Sequence, residues 1–133
     1  MNAQEKYDYW LDSAKYDLDT AVAMYDSRRW LYVAFACQQA VEKLCKGLYT
    51  LYIDDNVPRV HNISYIVNQF SDKLPQTVSR EQYRLFDRLT AFYLKGRYPA
   101  FKQKMSEMLN KNEARFLLEQ SKEVLSWLQT CKP

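Results

Sequence analysis

The chain has 133 residues, of which 47% are hydrophobic and 15% aromatic, and its formal net charge is +3. This composition excludes a disordered chain, and the presence of only two glycines and four prolines disfavours a β fold with many tight turns. No apolar run approaches the ~20 residues of a membrane span, and the N-terminal sequence lacks a signal-peptide pattern. We therefore expect one helical domain over residues 1–133, located in the cytoplasm.

Two long helices are predicted in the first half of the chain. Apolar residues at steps of three and four, from Tyr7 to Tyr25, indicate an amphipathic helix over roughly residues 4–26. The next segment, roughly Trp30–Ile53, is apolar over most of its circumference, which favours a central position in the fold. The turn-forming residues that follow it, including Pro58, end this helix.

The second half adds one short and two long helices. Asn62 is a candidate N-cap for a short helix, and Ser79 with Gln82 forms a capping box that opens a helix ending at Lys95-Gly96. Asn110 with Glu113 opens the last helix. The predicted fold is all-α, an antiparallel up-and-down bundle of four main helices plus a short helix.

Charge is distributed unevenly along the chain. Residues 1–26 hold six acidic and two basic side chains, whereas residues 80–104 hold seven basic and two acidic ones.

Cys37 and Cys45 lie eight residues apart on one helix, about 12 Å, which is too far for a disulfide. We expect all three cysteines to be reduced thiols, with Cys37 and Cys45 packed in the core.

The sequence shows no independent enzymatic mechanism. One histidine cannot form a multi-histidine metal site, two glycines cannot form a phosphate-binding loop, and no nucleophile motif is present. We therefore predict no metal and no cofactor.

The polar residues of the central helix, within Phe35–Lys46, allow two interpretations. Gln38 falls on an apolar face and is expected to make a hydrogen bond to another helix. A second stripe at steps of three and four comprises Gln39, Glu42, Lys43 and Lys46. This stripe is either a solvated, self-paired surface with a Glu42–Lys46 pair, or it presents Lys43 and Lys46 to a phosphate beside a cleft.

Two further features have open interpretations. The side chains of Arg80, Arg84 and Arg88 repeat every four residues, and this stripe can bind nucleic acid or a nucleotide, contact an acidic protein surface such as the first helix of another copy, or simply face solvent. The segment Tyr93–Pro99 and His61 are each interpreted first as structural, in a helix end and a turn.

Several motifs in order resemble one known family. They are WLDSAKYDLDTAVAM in the first helix, FACQQAVEKLCK in the second, PRVHNI, YLKGRYP and a final LSWL. Together they resemble the HEPN domain family of small helical proteins. The resemblance implies a helical bundle, a homodimer, and a minimal nucleotidyltransferase partner in a toxin–antitoxin-like pair.

Catalytic HEPN proteins are metal-independent ribonucleases with an arginine, four to six residues, and then a histidine. Here the corresponding positions 54, 55 and 56 are Asp, Asp and Asn, so that motif is absent. The non-catalytic signature that the resemblance carries over is Gln39, Lys43, Lys46, His61 and Arg97-Tyr98-Pro99.

We therefore hypothesise a dimeric nucleotide- or RNA-binding module that acts with a nucleotidyltransferase. The candidate ligand-binding residues are Lys43, Lys46, Arg84, Arg88, Arg97 and Tyr98. One alternative is a ribonuclease with an atypical Arg59 and His61 arrangement, and another is a dimerisation scaffold without catalytic activity.

Overall fold

The structure is a computed structural model that describes residues 1–96, 103, 104, 107 and 109–133. Within these residues every regular element is helical, as predicted. The α-helices whose bounds lie within the described residues are α1 (Ala3–Asp26), α2 (Trp30–Tyr52), α3 (Ile63–Asn68), α4 (Arg80–Gly96) and α5 (Lys111–Gln129). A 3-10 turn at Ser71–Lys73 follows α3.

Side-chain caps set where α1, α3, α4 and α5 begin, whereas α2 begins without one. Asn2 and Glu5 form a reciprocal capping box at α1, and Ser79 with Gln82 forms the predicted one at α4. Asn62 accepts a hydrogen bond from the Tyr65 amide at the start of α3, and Asn110 accepts one from the Glu113 amide at α5. Each cap satisfies an amide that has no partner within the helix, so the starts are fixed locally.

The central position of α2 is confirmed. Helices α1, α3, α4 and α5 all pack against it, and the buried side chains of all five helices form one hydrophobic core. Helix α1 approaches α2 closely at Gly47, where a Cβ atom would lie 2.9 Å from the Trp10 Cβ. A glycine here lets the two backbones pack closely.

Cys37, Cys45 and Cys131 are free thiols, and all three are buried, as predicted for Cys37 and Cys45. Burial raises the pKa of Cys37 to about 11 and also raises the pKa values of Cys45 and Cys131. No helix in the described ranges combines the length and the apolarity needed to cross a membrane.

A candidate anion-binding cleft beside a buried glutamate

The polar stripe of α2 is not a solvated surface. Glu42 is only 3% exposed and Lys46 only 8%, so the prediction of solvent exposure is wrong for these two residues. The predicted pair between them is confirmed, with Lys46 Nζ 3.0 Å from Glu42 Oε2. A buried carboxylate needs several partners, since an isolated charge in the protein interior is strongly unfavourable.

The partners of Glu42 come from α2 and from the loop before α3. Gln38 Nε2 donates to Glu42 Oε1 at 2.8 Å and also lies 3.2 Å from the His61 carbonyl oxygen. Gln38 is therefore buried and hydrogen-bonded, as predicted, but its long-range partner is a loop carbonyl rather than another helix. Gln39 in turn donates to the Gln38 side-chain oxygen at 2.7 Å.

His61 completes this network from the loop side. Its Nδ1 lies 3.0 Å from Glu42 Oε1, its Nε2 lies 3.2 Å from the Tyr93 hydroxyl, and its ring centroid is 4.3 Å from that of Tyr93. A carboxylate only accepts, which assigns the Nδ1 hydrogen to the bond with Glu42. Glu42 therefore fixes both the orientation and the tautomer of the imidazole.

Lys46 also lines a cleft of about 390 Å³ between α1, α2 and the loop that follows α2. Helix α1 contributes Lys6 and Trp10 to its wall, and α2 contributes Lys46 and Thr50. The loop contributes residues 55–59, which end in Arg59. We call this feature the cleft.

Cationic side chains outnumber anionic ones in the cleft. Its lining includes Lys6, Lys46 and Arg59 against a single carboxylate, Asp55. Lys6 Nζ lies 2.6 Å from Asp55 Oδ2, and this hydrogen bond lowers the pKa of the Asp55 carboxyl. Arg59 is exposed and has no ion pair among the described residues, so its guanidinium is available to an anion.

The structure separates the residues that the sequence grouped as ligand-binding. Lys43 Nζ lies 2.7 Å from Asp17 Oδ2 and joins α2 to α1, so Lys43 and Lys46 do not form a phosphate-facing pair. Arg97 and Tyr98 lie outside the described residues. Lys46 is therefore the member of the predicted set that the cleft contains.

Arg84 and Arg88 lie elsewhere, in a groove between α4 and α5 of about 420 Å³. We call it the α4–α5 groove, and it is lined by Glu81, Arg84, Leu85, Arg88, Phe116 and Gln120. The Arg88 guanidinium pairs with Glu113 and lies 5.9 Å from the centroid of the Phe116 ring. Arg88 is thus partly occupied by contacts that join α4 to α5.

Sequence reasoning missed Lys6, Trp10 and Glu42 as parts of this region. The sequence assigns Glu42 to the surface because it does not reveal that the His61 loop covers this residue. The sequence holds one signal for the contact with Trp10, because a glycine inside a helix, here Gly47, often marks a point of close packing. The described residues contain no group of three metal-ligating side chains.

The fold and the site define a small helical bundle with a cationic cleft beside buried Glu42 and its partner, the half-exposed His61. The model of the HEPN domain family matches residues 7–131, and the chain therefore belongs to that family. The crystal structure of TT1696 from Thermus thermophilus is similar, with a TM-score of 0.78, 20% identity and 98% of each chain covered, which shows a shared fold. A comparison with curated protein sequences finds no match.

Proposed function

We propose that this HEPN-family protein is a cytoplasmic binding module that takes a nucleotide or an RNA end in the cleft. The observation that carries the proposal is the convergence of Lys6, Lys46 and Arg59 on one concave surface with a single carboxylate. Phosphate oxygens are well matched by guanidinium and ammonium donors. Because Lys6 is paired with Asp55 and Lys46 with Glu42, Arg59 is the side chain best placed for the phosphate, and the two lysines add positive charge in the wall beside it.

Trp10 supplies the second element that a nucleotide requires. Its side chain is half-buried in the wall of the cleft, on the same α1 face as Lys6. Stacking of a base on an aromatic ring is tolerant of base identity and contributes about 1–3 kcal/mol. This arrangement favours a nucleotide or a single-stranded RNA end over a simple inorganic anion.

Calorimetric titration tests the proposal, with ATP and a short 5′-phosphorylated RNA as separate ligands. We expect Arg59→Ala to weaken binding by about tenfold or more, since it removes a charge-assisted hydrogen bond. Arg84→Ala is the matched control, because it removes an exposed arginine from the α4–α5 groove instead. Loss of affinity in the control alone would move the site to that groove, and absence of binding to both ligands would refute the proposal.

The partner part of the proposal follows from family membership. We propose that the protein forms a homodimer and acts with a minimal nucleotidyltransferase in a toxin–antitoxin-like pair. Co-expression with a candidate small nucleotidyltransferase, followed by purification through a tag on one chain, tests the pairing. Failure of the two chains to co-purify would contradict it without affecting the ligand titration.

A second candidate function is RNA cleavage, which the Glu42–His61 pair favours. A carboxylate on Nδ1 orients an imidazole for general-base catalysis, and Arg59 could stabilise charge on the phosphate. Nε2 would first have to exchange its bond to Tyr93 for the substrate hydroxyl. An RNA cleavage assay of wild type against His61→Ala decides, because equal rates would end this hypothesis and leave binding or a dimerisation scaffold.

A further inference from the structure

The outer face of α1 carries an uninterrupted line of exposed residues, most of them acidic or tyrosine. Its members alternate at steps of four and three residues, which places them along one side of the helix. They are Glu5, Tyr9, Asp12, Tyr16, Asp19, Ala23 and Asp26, and all are exposed. We call this line the acid–tyrosine face. Tyr9 is 65% exposed and Tyr16 is 74% exposed.

This face has little internal compensation. Asp12, Asp19 and Asp26 make no ion pair within the part of the chain that the structure describes. Lys15 is the one basic side chain on the exposed side of α1 beside them. Exposed tyrosines are enriched at protein interfaces, because their rings supply contact area and their hydroxyls keep a hydrogen bond.

A complementary face lies on α4 of the same chain. Arg80, Arg84 and Arg88 repeat every four residues, and all three are exposed. Arg80 and Arg84 make no ion pair with any described residue, whereas Arg88 pairs with Glu113. We call these three residues the arginine face. Helices α1 and α4 each pack on α2 rather than along one another, so the two faces do not neutralise each other within one molecule.

The spacing of the two faces matches. Asp12 and Asp19 are seven residues apart, about 10.5 Å along α1, and Arg80 and Arg88 are eight residues apart, about 12 Å along α4. Tyr16 lies between the two aspartates as Arg84 lies between the outer arginines. A guanidinium over a tyrosine ring is itself attractive.

We infer that the acid–tyrosine face of one copy binds the arginine face of a second copy. Two aspartates then meet Arg80 and Arg88, and Tyr16 meets Arg84. The neighbouring charges of opposite sign, Lys15 beside the first face and Glu81 beside the second, are also complementary. Asp87, the other acidic residue on α4, accepts a hydrogen bond from the Ser64 hydroxyl and is directed toward α3.

This inference rests on the association between copies proposed above and assigns a surface to it. Because the contact joins two different patches, it is made twice about a two-fold axis or it repeats in a ring or chain. Charge pairs of this kind are screened by salt, so the association should weaken as ionic strength rises.

A charge-swap experiment tests the assignment by sedimentation velocity at about 50 mM salt, well below full screening. We expect Asp12→Arg/Asp19→Arg and Arg80→Glu/Arg88→Glu each to raise the dissociation constant by about tenfold or more, because these are the residues that face one another in the inferred contact. An equimolar mixture of the two variants should recover association, because the reversed α1 of one meets the reversed α4 of the other. Glu119→Lys, an exposed charge reversal on α5, should associate like wild type.

The outcomes separate this inference from the proposal on which it rests. Association that persists in both double variants would keep self-association and overturn the assigned surface. A wild-type chain that stays monomeric would overturn both. Loss of association in each variant without recovery in the mixture would also overturn the pairing, provided that circular dichroism shows both variants to be folded.

Discussion

Glu42 is the residue on which the polar network inside the bundle depends. Its two carboxylate oxygens accept from Gln38, His61 and Lys46, and it is almost fully buried. Glu42→Gln keeps the shape of the side chain but removes the negative charge that balances the buried Lys46 ammonium. We expect a loss of roughly 3 kcal/mol in the free energy of unfolding, measured by urea titration, because one partner of a buried pair remains unpaired.

Asp55→Asn is the matched control for this substitution. It also removes one carboxylate from a pair with lysine, but Asp55 is exposed. We expect no change in the urea midpoint beyond measurement error, since exposed pairs contribute little. Similar effects of the two substitutions would contradict a special role for the buried network.

The close packing of α1 on α2 requires a glycine at position 47. An added Cβ would lie 2.9 Å from the Trp10 Cβ and 3.3 Å from Cδ2 of the Tyr7 ring. Although alanine has the higher helix propensity by about 1 kcal/mol, overpacking typically costs about 1–3 kcal/mol and forces the helices apart. Gly47→Ala should therefore lower the urea midpoint, whereas Lys15→Ala, an exposed change on α1, should leave it nearly unchanged.

At the scale of elements, the start of α4 offers a graded test of capping. Ser79 Oγ accepts from the Gln82 amide at 3.0 Å, and Gln82 Oε1 accepts from the Ser79 amide at 2.8 Å. Ser79→Ala should lower the free energy of unfolding by about 0.5–2 kcal/mol, and Ser79→Gly by only a few tenths. Equal losses would mean that the Ser79 side chain acts through something other than the cap.

Helix positions can be predicted closely because their determinants are local. The sequence predicts the first two helices over residues 4–26 and 30–53, and the observed bounds are Ala3–Asp26 and Trp30–Tyr52. The last helix, predicted to begin at the Asn110 cap, is observed over Lys111–Gln129. Capping side chains and apolar spacing act within a few residues, so the sequence alone contains this information.

The candidate site can be predicted only in part, because its determinants are distant in sequence. The sequence identifies Lys46, but the burial of this residue depends on α1 and the loop after α2, and the burial of Glu42 depends on His61, 19 residues away. Lys43 has the same charge and helix as Lys46 but pairs with Asp17 on α1. The periodicity of one helix gives the direction of a side chain and not the identity of its neighbour.

At the scale of the whole molecule, burial of weak acids makes stability sensitive to alkaline pH. Burial raises the pKa of Cys37 from 9.0 to about 11, raises the pKa of Tyr7 from 10.0 to about 12, and raises that of Cys45 as well. The folded state therefore holds these protons more tightly than the unfolded state. Their contribution is complete below about pH 9 and is lost as pH rises toward about 11 and 12.

We expect the urea midpoint to be level near pH 8 and to fall progressively above about pH 9. A shift from 9.0 to about 11 at Cys37 corresponds to roughly 2–3 kcal/mol by about pH 11. Cys37→Ala should flatten the decline between about pH 9 and 11, relative to its own value at pH 8, whereas Lys111→Ala at the exposed start of α5 should leave the slope unchanged. A native thiol that reacts with a disulfide reagent at pH 8 as fast as in urea would contradict the burial on which this prediction depends.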